Sequence, residues 1–275
     1  MKPSSFVPVQ ADSANLSCPE RYREWKPTPE LRKFIFCYWH TVQVGSSEKN
    51  GADSTEVIVP DGCMDLIFRL DRSVPDIEGF IVGTVDRAAW VDMEYDRIET
   101  FGIRFYPGGL QNLIREPATL FTNRIVSLPE VAKGFAKELR DLLVGAFSID
   151  EAVWQVERYL LGRVGGSWVW EDTFRNSLEH IYRAKGNIRV QEIAGREAIS
   201  EKQLTRIFYE RTGVGTKTFS RIIRFQHMLK LLKGDERMTL TQAALLSGYY
   251  DQAHGIRDFQ AFCSSLPSDY LKARM

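Results

Sequence analysis

Two changes of pattern along the 275 residues predict an α+β chain of two domains. From Phe34 to Phe105, short β-branched and aromatic runs are separated by turn signals. Within them Glu99, Phe101, Ile103 and Phe105 alternate with Thr100, Gly102 and Arg104, the period of a half-buried strand. From Gly108 onward the apolar residues recur at helical spacing, and the last hundred residues hold two stretches of paired short amphipathic helices about fifty positions apart. The expected architecture is a mostly-β barrel or sandwich with trailing helices, followed by an all-α domain with two helix-turn-helix motifs.

Residues 1–20, rich in Ser, Pro and polar side chains, are expected to form an irregular leader. Residues 21–164 are read as the β-rich domain and 168–275 as the helical one, with Gly165-Gly166-Ser167 marking the boundary. Thr28, with Pro29 after it, predicts the cap of a short helix. Strands are expected at 34–44, 56–59, 64–70, 79–83, 88–93 and 98–105, with a polar loop over 45–54 and a turn at Pro60-Asp61-Gly62. Helices are expected at 110–114, ended by Pro117, then at 128–144, 149–163 and 169–185, the last stopped by Gly186.

The stretch 190–213 (VQEIAGREAISEKQLTRIFYERTG) reads as two helices. Val190, Ile193, Ala194 and Ala198 form one apolar stripe, Ile199, Leu204, Ile207 and Phe208 the other, and the break falls at Ile199-Ser200. Ser200 can cap the second helix, Glu201 adds negative charge to its first turn, and Gly213 supplies a stop. The polar side of that helix carries Lys202, Gln203, Thr205, Arg206 and Tyr209, side chains able to hydrogen-bond base edges or phosphates in a major groove. The plainer reading is an αα-hairpin with a solvated face, in which Arg206 forms a surface ion pair with Glu201 or Glu210.

Residues 240–262 repeat the plan, with Leu240, Ala243, Ala244 and Leu246 as the stripe and Gly248 at the turn. A helix beginning near Asp251 then exposes Gln252, Ala253, Ile256 and Arg257, and Arg257 with Phe259 echoes Arg206 with Phe208. Between the copies, 218–233 reads as one long helix burying Phe219, Ile222, Ile223, Gln226, Leu229 and Leu232. Lys202, Gln203, Thr205, Arg206, Gln252, Ala253, Ile256 and Arg257 are the candidate DNA-reading residues; Ser200, Lys217, Arg221 and Arg224 are the candidate phosphate contacts.

Net charge is zero, from 36 Lys and Arg against 36 Asp and Glu, but it is unevenly placed. From Glu171 to the end there are 17 basic residues against 12 acidic, leaving 19 against 24 before it. The half with the paired helices is therefore the basic half. Cys18, Cys37, Cys63 and Cys263 lack ligand or pairing spacing, so they read as reduced thiols without a metal. Cys37 and Cys63 could serve as a redox or alkylation sensor, although small core residues are the better reading.

Only His40 of the four histidines lies in the first half, and no G-x-S-x-G, phosphate-loop or dinucleotide fingerprint occurs, so neither an enzyme nor a cofactor is expected. The absence of an apolar leader and of any run of 18 apolar residues predicts a cytoplasmic protein that does not span a membrane. Most aromatics of the first half read as core. Asp65, Arg69 and Arg104, with Trp39 and Trp90, are the candidate effector-binding residues.

These residues carry a family resemblance. Ile193-Ala194, S-x-x-Q-L-x-R-x-F from Ser200 to Phe208, Thr212-Gly213, A-x-x-x-G-Y-x-D-Q from Ala244 to Gln252, and P-x-x-Y from Pro267 to Tyr270 resemble the DNA-binding domain of the AraC/XylS family of bacterial transcription regulators. The first half resembles an amino-terminal domain of some such regulators, through P-x-P-E-L-R at Pro27 to Arg32, Cys37-Tyr38-Trp39, Pro60 to Phe68, Gly83 and F-x-P-G-G at Phe105 to Gly109. The resemblance implies a seven-helix DNA-binding domain behind a cupin-like sensor domain of unassigned ligand. The partners it implies are double-stranded DNA, a small-molecule effector, a second copy of the chain and RNA polymerase.

One departure stands out. The family places a large apolar residue, typically Phe, where this chain has Gly255. Loss of a buried aromatic costs about 3 to 5 kcal/mol, and Gly in place of Ala within a helix adds about 1 kcal/mol, so a loose or altered second unit is expected. The alternative function is a ligand-binding or antirepressor protein with a degraded second unit, and after it a redox sensor.

Overall fold

The computed structural model describes residues 6–10, 22–44, 55–70, 77–92, 97–164, 171–235 and 237–263. Strands β1 (Tyr22–Trp25), β2 (Ile35–Val44), β4 (Met64–Leu70), β5 (Ile77–Val82), β7 (Arg97–Phe105) and β8 (Ile125–Ser127) form an antiparallel sheet. Its order is β1-β2-β7-β4-β5-β8, while β3 (Thr55–Ile58) and β6 (Ala89–Asp92) pair separately. The two ends of the large sheet do not pair with each other, so among the described residues it is open and the expected closed barrel is not formed. Its outermost strands have only four and three residues, and short edges of this kind limit further pairing.

The six expected strands form within a few residues of their predicted limits; β1 and β8 are additions too short to display a period of two. The helix expected after Thr28 is instead a turn. The amides of Leu31 and Arg32 both donate to the Thr28 carbonyl, at 3.1 and 2.9 Å, and the chain enters β2 at Ile35 before a regular helix can develop. Leu110–Asn112 is likewise a single 3-10 turn. The expected boundary at 165–167 and the Pro267–Tyr270 motif lie outside the described residues.

The two faces of the sheet have different chemistry because side chains alternate along each strand. Tyr38, Leu66, Phe68, Phe101, Ile103 and Phe105 are all buried in one core with residues of α1 (Leu128–Gly145) and α2 (Ile149–Val164), among them Leu139, Leu143, Val156 and Leu160. Across β2, β7 and β4, the alternate positions run Cys37, Arg104, Asp65 in one row and Trp39, Gly102, Ile67 in the next. Gly102 makes room for the indole: a Cβ there would lie 2.0 Å from the Trp39 ring.

Helices α3 (Asp172–Arg183), α4 (Val190–Arg196), α5 (Glu201–Thr212), α6 (Thr216–Gly234), α7 (Leu240–Leu246) and α8 (Gln252–Cys263) share a second core containing Phe174, Phe208, Phe219, Phe225, Phe259 and Phe262. The pairs α4–α5 and α7–α8 turn in the same way. In the first, the amide of Ile199 reaches back to the Ala194 carbonyl at 3.0 Å and Ala198 takes a positive φ of 53°. In the second, the amide of Tyr249 reaches back to Ala244 at 3.1 Å around Gly248. This is the left-handed helix stop that glycine normally serves. Ala198 is therefore an exposed turn residue and not part of the buried stripe; Leu246, 59 % exposed, also lies outside it.

Gly255 is buried against neighbours that leave no void for an aromatic ring. A Cβ at that position would lie 2.9 Å from the Ala244 Cβ, 3.6 Å from the Met228 sulfur and 3.7 Å from the Tyr249 ring. The missing side chain is compensated by close approach of α7 to α8, so the sequence-based expectation of a loose second pair does not describe this packing.

The two cores meet along a polar seam. Gln226 of α6, 2 % exposed, accepts from the Val9 amide at 2.7 Å and donates to the Val9 carbonyl at 2.9 Å and the Pro60 carbonyl at 2.8 Å. Gln10 spans to the β-domain side, donating to the Asp61 carboxylate at 2.7 Å and accepting from the Val59 amide at 3.1 Å. Phe6 stacks on Tyr182 of α3 with centroids 4.8 Å apart. A second anchor joins the 3-10 turn Ala118–Leu120 to the end of α5, where the Thr122 hydroxyl donates to the Gly213 carbonyl at 2.9 Å.

Replacing Gln226 with Leu keeps volume but strips partners from three backbone groups. The expected cost is about 1 to 3 kcal/mol. Hydrogen exchange should accelerate first at Val9, with unfolding by denaturant reporting the loss; unchanged exchange at Val9 would contradict the role given to this side chain.

Candidate nucleic-acid interface

Helix α5 has the ends that its sequence predicts. The Ser200 hydroxyl accepts from the Gln203 amide at 3.1 Å, and Gly213 closes the helix with a φ of 80°, a conformation that costs a side chain-bearing residue about 1 to 2 kcal/mol. Leu204, Ile207 and Phe208 are buried and fix the helix face. Lys202, Gln203 and Arg206 are consequently exposed, and Thr205 is half-buried beside them. Among the described residues Arg206 forms no ion pair with Glu201 or Glu210, so its guanidinium is available to a ligand. Ser200 acts as the helix cap.

Counting from each cap, α8 matches α5 position for position. Asp251 caps α8 by accepting from the His254 amide at 2.7 Å, as Ser200 caps α5. Ala253 then stands where Lys202 does, Gly255 where Leu204 does, Arg257 where Arg206 does and Phe259 where Phe208 does. Gln252, Ala253 and Arg257 are exposed, Ile256 is half-buried, and Gln252 accepts from the Thr241 hydroxyl at 2.9 Å. The Arg257 guanidinium donates from Nε to the Ala253 carbonyl at 3.3 Å.

The predicted phosphate contacts divide. Lys217 and Arg221 line an open cleft of about 410 Å³ between the start of α6 and α8, together with His254, Arg257 and Asp258. Arg224 is committed elsewhere: it donates to the Gly186 carbonyl at 3.0 Å and lies over the Tyr249 ring at 5.4 Å, tying the turn after α3 and the turn between α7 and α8 to α6. The sequence pattern gave Arg221 and Arg224 the same role because both follow helical spacing. Only Arg221 faces the cleft. His254 and Asp258 were missed, although the alignment of the two caps would have flagged Asp258 as a charge at a core position.

In the first domain, three of the five candidate effector residues come together. Asp65 accepts from the Trp39 indole at 3.0 Å and from Arg104 Nε at 3.1 Å, and Arg104 Nη1 lies 3.9 Å from Asp61. Asp61 was not anticipated; it accepts from the Cys63 amide at 2.8 Å and from Gln10. Burial raises the Asp61 carboxyl above its ordinary pKa, with Arg104 opposing. Arg69 is exposed and lies over the Phe80 ring at 5.3 Å, outside this cluster, and the Trp90 side chain lies outside the described residues.

The same burial bears on the thiols. Cys37, Cys63 and Cys263 are free and buried, and burial pushes all three upward, Cys263 to about 12, so their reactive thiolate forms are suppressed. Cys18 lies outside the described residues. Among the described residues no group of three or more His, Cys, Asp or Glu could hold a metal ion, and no helix is long and apolar enough to cross a membrane.

The arrangement defines a class: a β-sheet domain docked on a helical domain that presents a capped helix with free basic and amide side chains. Residues 193–273 match the family described as a helix-turn-helix domain, and residues 23–127 match a domain of unknown function, DUF6597. Residues 193–273 are therefore a helix-turn-helix domain of the AraC type, preceded in the chain by the domain of unknown function.

Among solved structures, a probable AraC family transcriptional regulator from Rhodopseudomonas palustris CGA009 is similar at 26 % identity over 38 % of this chain and 97 % of that one, with a TM-score of 0.33. ToxT from Vibrio cholerae is similar at 13 % identity over 86 % of this chain and 98 % of that one, with a TM-score of 0.43. Its form bound to an unsaturated fatty acid is similar at 12 % identity over 81 % of this chain and 96 % of that one, with a TM-score of 0.40. No curated protein matches the chain.

Proposed function

We propose that the chain reads a specific DNA site through two helix-turn-helix units, with α5 and α8 entering successive major-groove segments. The observation that carries this reading is α5: a capped, well-buried helix whose Lys202, Gln203 and Arg206 are exposed. Thr205 and, on α8, Gln252, Ala253, Ile256 and Arg257 complete the base-reading set; Ser200, Lys217 and Arg221 belong with the phosphates. The reading divides the chain near residues 165–167 and places a cupin-like sensor role on the domain before it.

In that domain the half-buried Trp39 and Arg104 and the buried Asp65 are the residues assigned to a small-molecule effector, whose binding shifts how the helical domain engages DNA. The function has no catalytic step and calls for no cofactor. A second copy of the chain and RNA polymerase are the partners it brings, in a cytoplasmic setting.

Selection of bound sites from random DNA, followed by affinity measurements over a range of salt, tests the reading. Arg206→Ala is expected to cost about 1 to 3 kcal/mol on the selected site and to relax preference at one base position. An equal loss on every sequence would move Arg206 to the phosphate contacts, and no salt-sensitive binding by the parent chain would sink the proposal.

A further inference from the structure

The two cap-aligned helices differ at one buried position. Where α5 has Ile207, 5 % exposed and part of the core, α8 has Asp258, 3 % exposed. A carboxylate at such a place is costly unless a cation answers it. Here Arg221 of α6 does so from a single direction, with Nη2 at 2.7 Å and Nε at 3.2 Å, both on Oδ1. The second carboxylate oxygen, Oδ2, is buried with no hydrogen-bond partner among the described residues. An apolar residue, as in α5, would avoid that cost, at the expense of the buried Tyr249 hydroxyl, whose pKa the Asp258 carboxylate helps to raise after burial.

Asp258 also acts on Arg221. The guanidinium is held on one edge by Oδ1, and its carbon lies 5.3 Å from the centre of the Phe262 ring, while the side chain stays 40 % exposed. An arginine fixed by a carboxylate and by an aromatic face has lost its rotamer freedom in advance, and its remaining N–H groups are pre-set for an oxyanion. The surrounding cleft has the sign an anion requires, because three cations, Lys217, Arg221 and Arg257, line it against the single carboxylate of Asp258.

Resting on the DNA-binding reading above, we propose that the cleft between α6 and α8 is a seat for a phosphate group. Arg221 is its principal donor, Lys217 adds charge, and Asp258 is a positioning residue that aims Arg221. The seat belongs to the second unit alone. With Ile207 in the equivalent place, the first unit lacks the acid that would hold an arginine in this way. The chemistry fits a backbone phosphate of duplex DNA, and inorganic phosphate is the free form of the same group.

The test uses the full chain with the duplex recovered by selection and a shuffled duplex. Asp258→Ile installs the residue type found at the matching place in α5, and its stability is read by urea unfolding beside the parent so that affinity is compared between folded chains. It should bind both duplexes about tenfold more weakly, the scale of one charge-assisted hydrogen bond, with an unchanged slope of log affinity against log salt. Arg221→Lys, which keeps charge but loses the fork, should behave alike. Arg221→Ala should also lower the slope by about 0.9, the signature of one phosphate contact removed.

A purely structural role for Asp258 would move stability and leave affinity where it was. Parent-like affinity of Asp258→Ile on both duplexes would overturn the proposal. The phosphate arm separates this inference from the reading it rests on: inorganic phosphate should shift the His254 ring resonances of the parent saturably. A parent chain that showed this shift but bound no duplex would sink the DNA reading and leave the seat standing. Absence of the shift would overturn the seat even where duplex binding persists.

Discussion

Replacing Arg104 with Met is expected to cost about 3 to 5 kcal/mol, because it removes the cation that answers two buried carboxylates. Asp61 and Asp65 are 6 % and 8 % exposed, and Arg104 lies 3.1 Å from one and 3.9 Å from the other. The deficit should depend on pH, with a definite sign. The folded pKa of Asp61 already lies above its ordinary value, through burial first, with Arg104 opposing. A carboxyl of this kind holds its proton more tightly when folded. Its contribution to stability is complete below the unfolded pKa and is lost as pH rises through the folded one.

Without Arg104 the folded value climbs further. The deficit is therefore largest near neutral pH and narrows as pH falls toward the carboxylate range. Urea unfolding of parent and variant at about pH 7.5 and about pH 5 reads this directly. Asp65→Asn in the variant background should restore part of the stability. An equal deficit at both pH values would mean that the cluster is solvated enough to manage without its arginine.

Gly255→Phe is the second large effect, and it runs against the family pattern. Restoring the residue that the family places there is expected to destabilise by about 3 kcal/mol, at the upper end of what overpacking costs, because the first atom added already lies 2.9 Å from the Ala244 Cβ. The ring would have to displace Met228 and Tyr249, both buried. Loss of affinity for the selected duplex should follow, since Arg257 is two residues away on the same helix. A chain that gained stability and affinity instead would show that α7 and α8 can separate at little cost, with the glycine a defect that the rest of the unit tolerates.

Most of the helical domain was legible in its residue types because its ends are written locally. Ser200 and Gly213 mark α5 by short-range hydrogen bonds and backbone conformation, and the structure places both where those rules put them. The sheet was legible strand by strand but not in its closure, which depends on how edge strands as short as β8 pair and leaves no period to read. Arg224 and Arg221 could not be told apart from spacing, since the difference is a carbonyl at Gly186 and a carboxylate at Asp258, both more than thirty positions distant. Asp65 and Arg104 were singled out as polar residues on strands; their meeting depends on register between β4 and β7, which a single strand does not encode.

The seam between the cores has a mechanical consequence. Its two anchors, Gly213 at the end of α5 and Gln226 midway along α6, stand on either side of the corner where α5 joins the longer α6. Displacement of the Thr122 turn relative to Pro60 would therefore load that corner as a lever, bending it or releasing one of the grips. Strain arising among Trp39, Asp65 and Arg104 passes through the Arg104–Asp61 contact and on to Pro60, the neighbour of Asp61, and so reaches the grip on α6 without wholesale unfolding.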